Sequence, residues 1–155
     1  MNSPILAPMV ALICWTLVMW VWMYATRIPA MLRARIDGRT LVGSTGASLR
    51  DDMITGGERR ATWVADNYNH LHEQPTLFYA TCVVLALIGL GYGFNLSLAW
   101  AYVALRVAHS LVQATFNRVI VRFSIFVLAS LCLFALAIHA GLGLVHVHPL
   151  IGPGN

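Results

Sequence analysis

The sequence predicts an all-α, integral-membrane four-helix bundle, and three observations lead there. Of the 155 residues, 59% are hydrophobic and only 10% are charged, a balance too apolar for a soluble domain. Three long stretches carry no Asp, Glu, Lys or Arg: Pro4 to Thr26, Gln74 to Leu105, and Phe123 to Asn155. A helix of about 20 apolar residues crosses a bilayer. The second stretch is too long for one span and contains a turn-forming cluster, Gly91-Tyr92-Gly93-Phe94-Asn95. The expected organisation is one membrane domain over residues 1–155. Its helices lie at about 4–26, 60–92, 96–116 and 119–147, with a polar loop at about 27–59.

The first helix is too long for a secretory apolar core, has no basic segment before it, and is followed by Arg27. It reads as a retained anchor. Trp15, Trp20 and Trp22 on it are expected to meet lipid or neighbouring helices. The loop that follows is rich in Gly, Ser and Thr from Asp37 to Ser48 and lacks a GxxxxGK[ST] phosphate cradle. The second helix is expected to begin in the cytoplasm near residue 60 and to run through Pro75, since bundled membrane helices tolerate proline. His70 and Glu73 then sit one turn apart at the cytoplasmic boundary. Near its far end Gly89 and Gly93 form a GxxxG spacing that permits close helix approach. Tyr92, Phe94 and Trp100 read as an interfacial aromatic belt.

The third helix holds the most informative residue. Arg106 lies in an otherwise apolar run, and Tyr102, Arg106, His109 and Gln113 recur at steps of four, three and four, on one helix face. An ionised group inside a span is costly, so it faces a partner or a wet cavity. Arg122 opens the fourth helix, and His146 and His148 near its end read as tail histidines.

All ten basic residues are arginines, and seven of them (Arg27, Arg33, Arg35, Arg39, Arg50, Arg59, Arg60) fall between the first two helices. Arg118 lies between the last two. The positive-inside bias makes these connections cytoplasmic and both termini external, as in a bacterial inner-membrane protein with periplasmic ends and residues 27–74 in the cytoplasm. The net charge of +4 is therefore mainly a topology signal, and no nucleic-acid partner is expected. Cys14, Cys82 and Cys132 each fall within an apolar span and read as small hydrophobes.

With this topology His70 and Glu73, Arg106, His109 and Gln113, and Arg122 share the cytoplasmic half of the bilayer. Bland readings stand beside the functional one. Arg106 and Glu73 could form a buried ion pair, Arg122 could reach back to water along its stem, His109 could bridge helices, and Tyr102 could simply pack. A metal site from His70, His72, Glu73 and His109 is weighed and set aside, because residues two apart on a helix point about 200° apart; no metal is expected.

Two segments resemble the MAPEG family, membrane-associated proteins of eicosanoid and glutathione metabolism. Arg106-Val107-Ala108-His109 through Gln113, then Asn117-Arg118 and Arg122, looks like the third-to-fourth helix segment of membrane prostaglandin E synthase. Asn69 to Glu73, followed by Leu77-Phe78, is similar to the family's second-helix signature. The resemblance implies a homotrimer that binds glutathione near the cytoplasmic face and acts on an apolar electrophile as a transferase or peroxidase. Carried over by position, Arg122 corresponds to the arginine that stabilises the glutathione thiolate, the one catalytic assignment. Arg106, His109, Glu73, His70, Asn69 and Gln113, with Arg33 or Arg35 after the first helix, are the expected binding residues. The chain departs from the family in having Gln113 and Phe126 where tyrosines are usual, and His70 where Asn is usual. The alternative is a non-catalytic scaffold or lipid-binding subunit that keeps the fold.

Overall fold

The computed structural model describes residues 3–39 and 41–147, without the side chains of His146 and Val147. The tail histidines therefore lie outside what is described. Six helices follow one another: α1 (Leu6–Arg33), α2 (Gly46–Thr55), α3 (Arg59–His70), α4 (Gln74–Leu87), α5 (Gly93–Thr115) and α6 (Val119–Val147). Helix α5 is the central element, packed against α1, α3 and α6, while α4 lies against α6 and α1.

Two of these helices, α1 and α6, are long and apolar enough to cross a membrane. Their surfaces are inverted relative to a soluble protein. On α1, Leu12, Met19 and Met23 are buried, whereas Val10, Leu17 and Val21 are more than half exposed. On α6, Ala129, Leu133, Leu136 and Ala140 face inward, and Phe123, Leu131, Phe134 and Ile138 face outward. Exposed apolar belts of this extent suit lipid or another protein surface. Between apolar helices in lipid, association rests on close packing rather than on escape from water. The buried alanines Ala99 and Ala114 of α5 and Ala129 and Ala140 of α6 permit it. Phe78 of α4 stacks on Tyr102 of α5 with ring centroids 4.4 Å apart, so Tyr102 does pack.

Several expectations are corrected. The helix expected over 60–92 is two helices. Pro75 stands in the first turn of α4, where it can donate no bond and its ring would clash with the carbonyl of Leu71 in a continuous helix. The chain therefore turns through Leu71–Glu73. The loop expected over 27–59 is largely helical. Helix α1 continues past Pro29 because Ala30, fully buried, packs with Met53 and Ala61 in a second small core. Its end is closed by Arg35 in the left-handed region (φ 56°), with Ile36 N–H donating to Met31 O. Helix α2 is started by a reciprocal cap in which Thr45 Oγ1 accepts from Ser48 N–H and Ser48 Oγ from Thr45 N–H. Gly89 and Gly93 lie beyond the end of α4, at the turn into α5, both with positive φ, so they shape that turn rather than a helix–helix contact.

Candidate functional site

The break between α3 and α4 creates the site. In an unbroken helix the carbonyl of His70 would accept from the backbone four residues on. Here it accepts from Arg106 Nη2 at 2.7 Å. Arg106 is 1% exposed, and its Nε and Nη1 have no hydrogen-bond partner. A buried guanidinium held by one neutral oxygen has the charge and the donor atoms to take an anion, because its charge and two of its donor atoms are uncompensated.

Arg106 lines a cavity of about 350 Å³ together with His70, Glu73, Gln74, His109, Val119, Arg122, Phe123 and Phe126. The volume is within the range of small-molecule sites. Arg106 lies over the Phe126 ring at 5.9 Å, close enough for a cation–π contact. The His109 ring sits 6.2 Å from that of Phe126 and 6.4 Å from that of His70. One side of the cavity is thus cationic and polar, and α6 supplies an apolar side, of which Val119 and Phe123 are more than half exposed.

Of the residues anticipated from sequence, His70, Glu73, Arg106, His109 and Arg122 come together here. Gln113 stands one layer back, 1% exposed, with its amide 2.9–3.0 Å from His70 Nδ1. The buried Arg106–Glu73 ion pair does not form: Glu73 is largely exposed and approaches His70 Nε2 at 3.9 Å.

Three anticipated residues lie elsewhere. Asn69 is exposed on α3 and lines a separate cavity with Arg27, Arg50 and Asp66. The buried asparagine of α3 is Asn67, whose Nδ2 donates to Ser110 Oγ at 2.6 Å; a step of two residues along α3 puts Asn69 on another face. Arg33 is engaged by Glu58, its Nε and Nη2 donating at 2.6 and 2.9 Å, and this bidentate bond holds the Glu58 carboxyl below its usual range. Arg35, closing α1, borders a groove with Ile28, Leu32 and Asp37.

Sequence reasoning missed Gln74. Its Nε2 donates to Ser130 Oγ at 2.8 Å and its Oε1 accepts from Tyr102 OH at 3.4 Å, so one side chain ties α4 to α6 and α5. Its position before Pro75, at a helix start, was the available signal. His72 turns away and meets the Tyr68 carbonyl at 2.8 Å. Among the described residues no three His, Cys, Asp or Glu side chains gather as metal ligands.

Residues 5–142, nearly the whole chain, match the model of the MAPEG family. No curated protein and no solved structure matches. With the apolar helices α1 and α6, the match makes this a helical membrane protein.

Proposed function

The chain belongs to the MAPEG family, and on that footing we propose that the Arg106–Arg122 cavity binds glutathione and promotes its attack on, or its reduction of, an apolar electrophile. The observation that carries the reading is Arg106, buried among helices with two unpartnered donor nitrogens on a cavity that Arg122 also lines. Bound glutathione would supply a thiol nucleophile and two carboxylates.

The residues fit that ligand. Arg106 offers free guanidinium donors to a carboxylate, an anion its planar fork suits. Glu73, the carboxylate on the lining, can accept from an ammonium. Gln113 steadies the His70 ring, and His109 adds a further ring nitrogen. Arg122 places a permanent positive charge in the cavity, which favours a thiolate over a thiol. Phe123, Phe126 and Val119 seat an apolar substrate and keep water from the reacting atoms. Arg33, Arg35 and Asn69 have no part in this within one subunit. The active form in this reading is a homotrimer in an inner membrane, with external termini.

The test is calorimetric titration of the detergent-purified protein with glutathione, comparing wild type with Arg122→Ala and following turnover with an apolar electrophile. Binding by wild type, with turnover lost in Arg122→Ala, is expected. No binding at millimolar glutathione would remove this activity and favour a scaffold or lipid-binding subunit, a reading for which the Arg106–His70 clamp is the supporting observation. Full turnover in Arg122→Ala would refute the role given to that arginine.

A further inference from the structure

Arg122 is not left to its own flexibility. Helix α5 ends at Thr115 and α6 begins at Val119, and within the short turn Asn117 adopts φ 47°, its N–H donating to Val112 O at 2.8 Å. Asparagine tolerates this left-handed conformation, so the turn explains an Asn or a Gly. It does not explain what the side chain does. Asn117 Oδ1 accepts from Arg122 Nη1 at 2.7 Å, across the turn and into α6.

An unheld arginine at a membrane boundary extends its head group to water. The bond from Asn117 opposes that and keeps Arg122 on the cavity it lines beside Phe123 and Phe126. The acceptor is a neutral amide oxygen. Among the described residues no carboxylate pairs with Arg122, and Glu73, the acid on the lining, approaches His70 instead. A carboxylate in the place of Asn117 would aim the guanidinium equally well, yet it would cancel the charge that it aims.

We infer that Asn117 is a positioning residue of the cavity, orienting Arg122 through an uncharged oxygen so that its full positive charge is available to an anion. This rests on the cavity being an anion and thiol site, as proposed above, and it names the residue that prepares it.

The test uses a reporter that needs no glutathione. In the full-length protein in detergent, Cys14, Cys82 and Cys132 are replaced by alanine, and Phe126→Cys places a thiol on the cavity wall, one turn from Arg122. The rate of its alkylation by iodoacetamide is followed against pH in three backgrounds: Asn117, Asn117→Asp and Asn117→Gly. The aspartate keeps the shape and tolerates the same backbone, and the glycine keeps the positive φ without a side chain. The reporter is expected to titrate below the ordinary thiol range with Asn117. It should rise by at least one pH unit with Asn117→Asp, a tenfold loss of thiolate at neutral pH, and by a smaller amount with Asn117→Gly. Superimposable pH profiles in Asn117 and Asn117→Gly would overturn the inference and reduce Asn117 to a turn residue. The same holds for Asn117 and Asn117→Asp if the aspartate variant keeps its helical circular dichroism. A shifted profile in a protein that fails to bind glutathione would uphold Asn117 and remove only the ligand.

Discussion

Arg106 on α5 donates to the carbonyl of His70 at 2.7 Å, the last residue of α3 before the chain breaks. One bond therefore joins the buried Arg106 guanidinium to a backbone carbonyl left open where the chain breaks between α3 and α4. The bond spares the protein interior an unpaired carbonyl and anchors the guanidinium, while leaving its Nε and Nη1 without partners.

Replacing Arg106 with Met separates binding from folding. Glutathione affinity should fall at least a hundredfold, about 2.7 kcal/mol. Stability should change little. Freeing the His70 carbonyl costs about 1–3 kcal/mol, whereas removing a buried guanidinium with no counter-charge is favourable, and the two offset. A melting midpoint in detergent within about 5 °C of wild type, together with lost binding in calorimetry, is the expected pair of results. A collapse of the midpoint would mean that Arg106 is chiefly structural.

Asn67 and Ser110 test the seam between α3 and α5. Both are fully buried, joined at 2.6 Å, and Asn67 Oδ1 has no partner. Ser110→Ala leaves the Asn67 amide with nothing to bond and should cost about 1–2 kcal/mol. The double change Asn67→Leu with Ser110→Ala should recover most of that loss, because no buried polar group remains. Thermal denaturation of the three proteins decides it.

Gln74 is expected to matter by linking helices. Gln74→Leu and Ser130→Ala should each destabilise by about 1 kcal/mol, with a coupling of about 0.6–1.7 kcal/mol in a double-mutant cycle, the range for interhelical bonds in lipid. Independent effects of the two changes would show that the 2.8 Å bond contributes nothing of its own.

The Arg33–Glu58 pair gives the protein a dependence on acid. Because the folded-state pKa of Glu58 is lowered, its contribution is present above the unfolded carboxylate value, about 4.3. It is lost as pH falls through the lower folded value. Glu58→Gln should therefore lower the melting midpoint at pH 7 and leave it unaltered at a pH well below the carboxylate range. High salt should shrink the difference, since the pair is exposed.

The spacing of Tyr102, Arg106, His109 and Gln113 was readable because a helix presents every third or fourth residue on one face, and all four are buried in α5. His70 and Arg122 line one cavity with Arg106 and His109, the clustering that the charge asymmetry of the loops leads one to expect. The segments after α1 were harder. Helix α2 has little apolar patterning; it is held by its local Thr45–Ser48 cap and by Met53 packing on Ala61 and on Ala30 of α1, the last a contact that no local window contains. Asn69, expected as a binding residue from the resemblance, is exposed while Asn67 is buried; the phase of a helix shifts by about 100° with each residue, and only packing reveals which phase is buried.

Amino-acid order alone settles the helical class, the apolar belts and the placing of Arg106 on one polar face of an apolar helix, because these follow from composition and from fixed helical periodicity. It could not decide that Pro75 would split a helix and surrender the His70 carbonyl to Arg106, or that Glu58 would claim Arg33 and Asn117 would claim Arg122. Those outcomes are competitions between distant groups for the same donors and acceptors. Such competitions are resolved only when the helices meet in three dimensions.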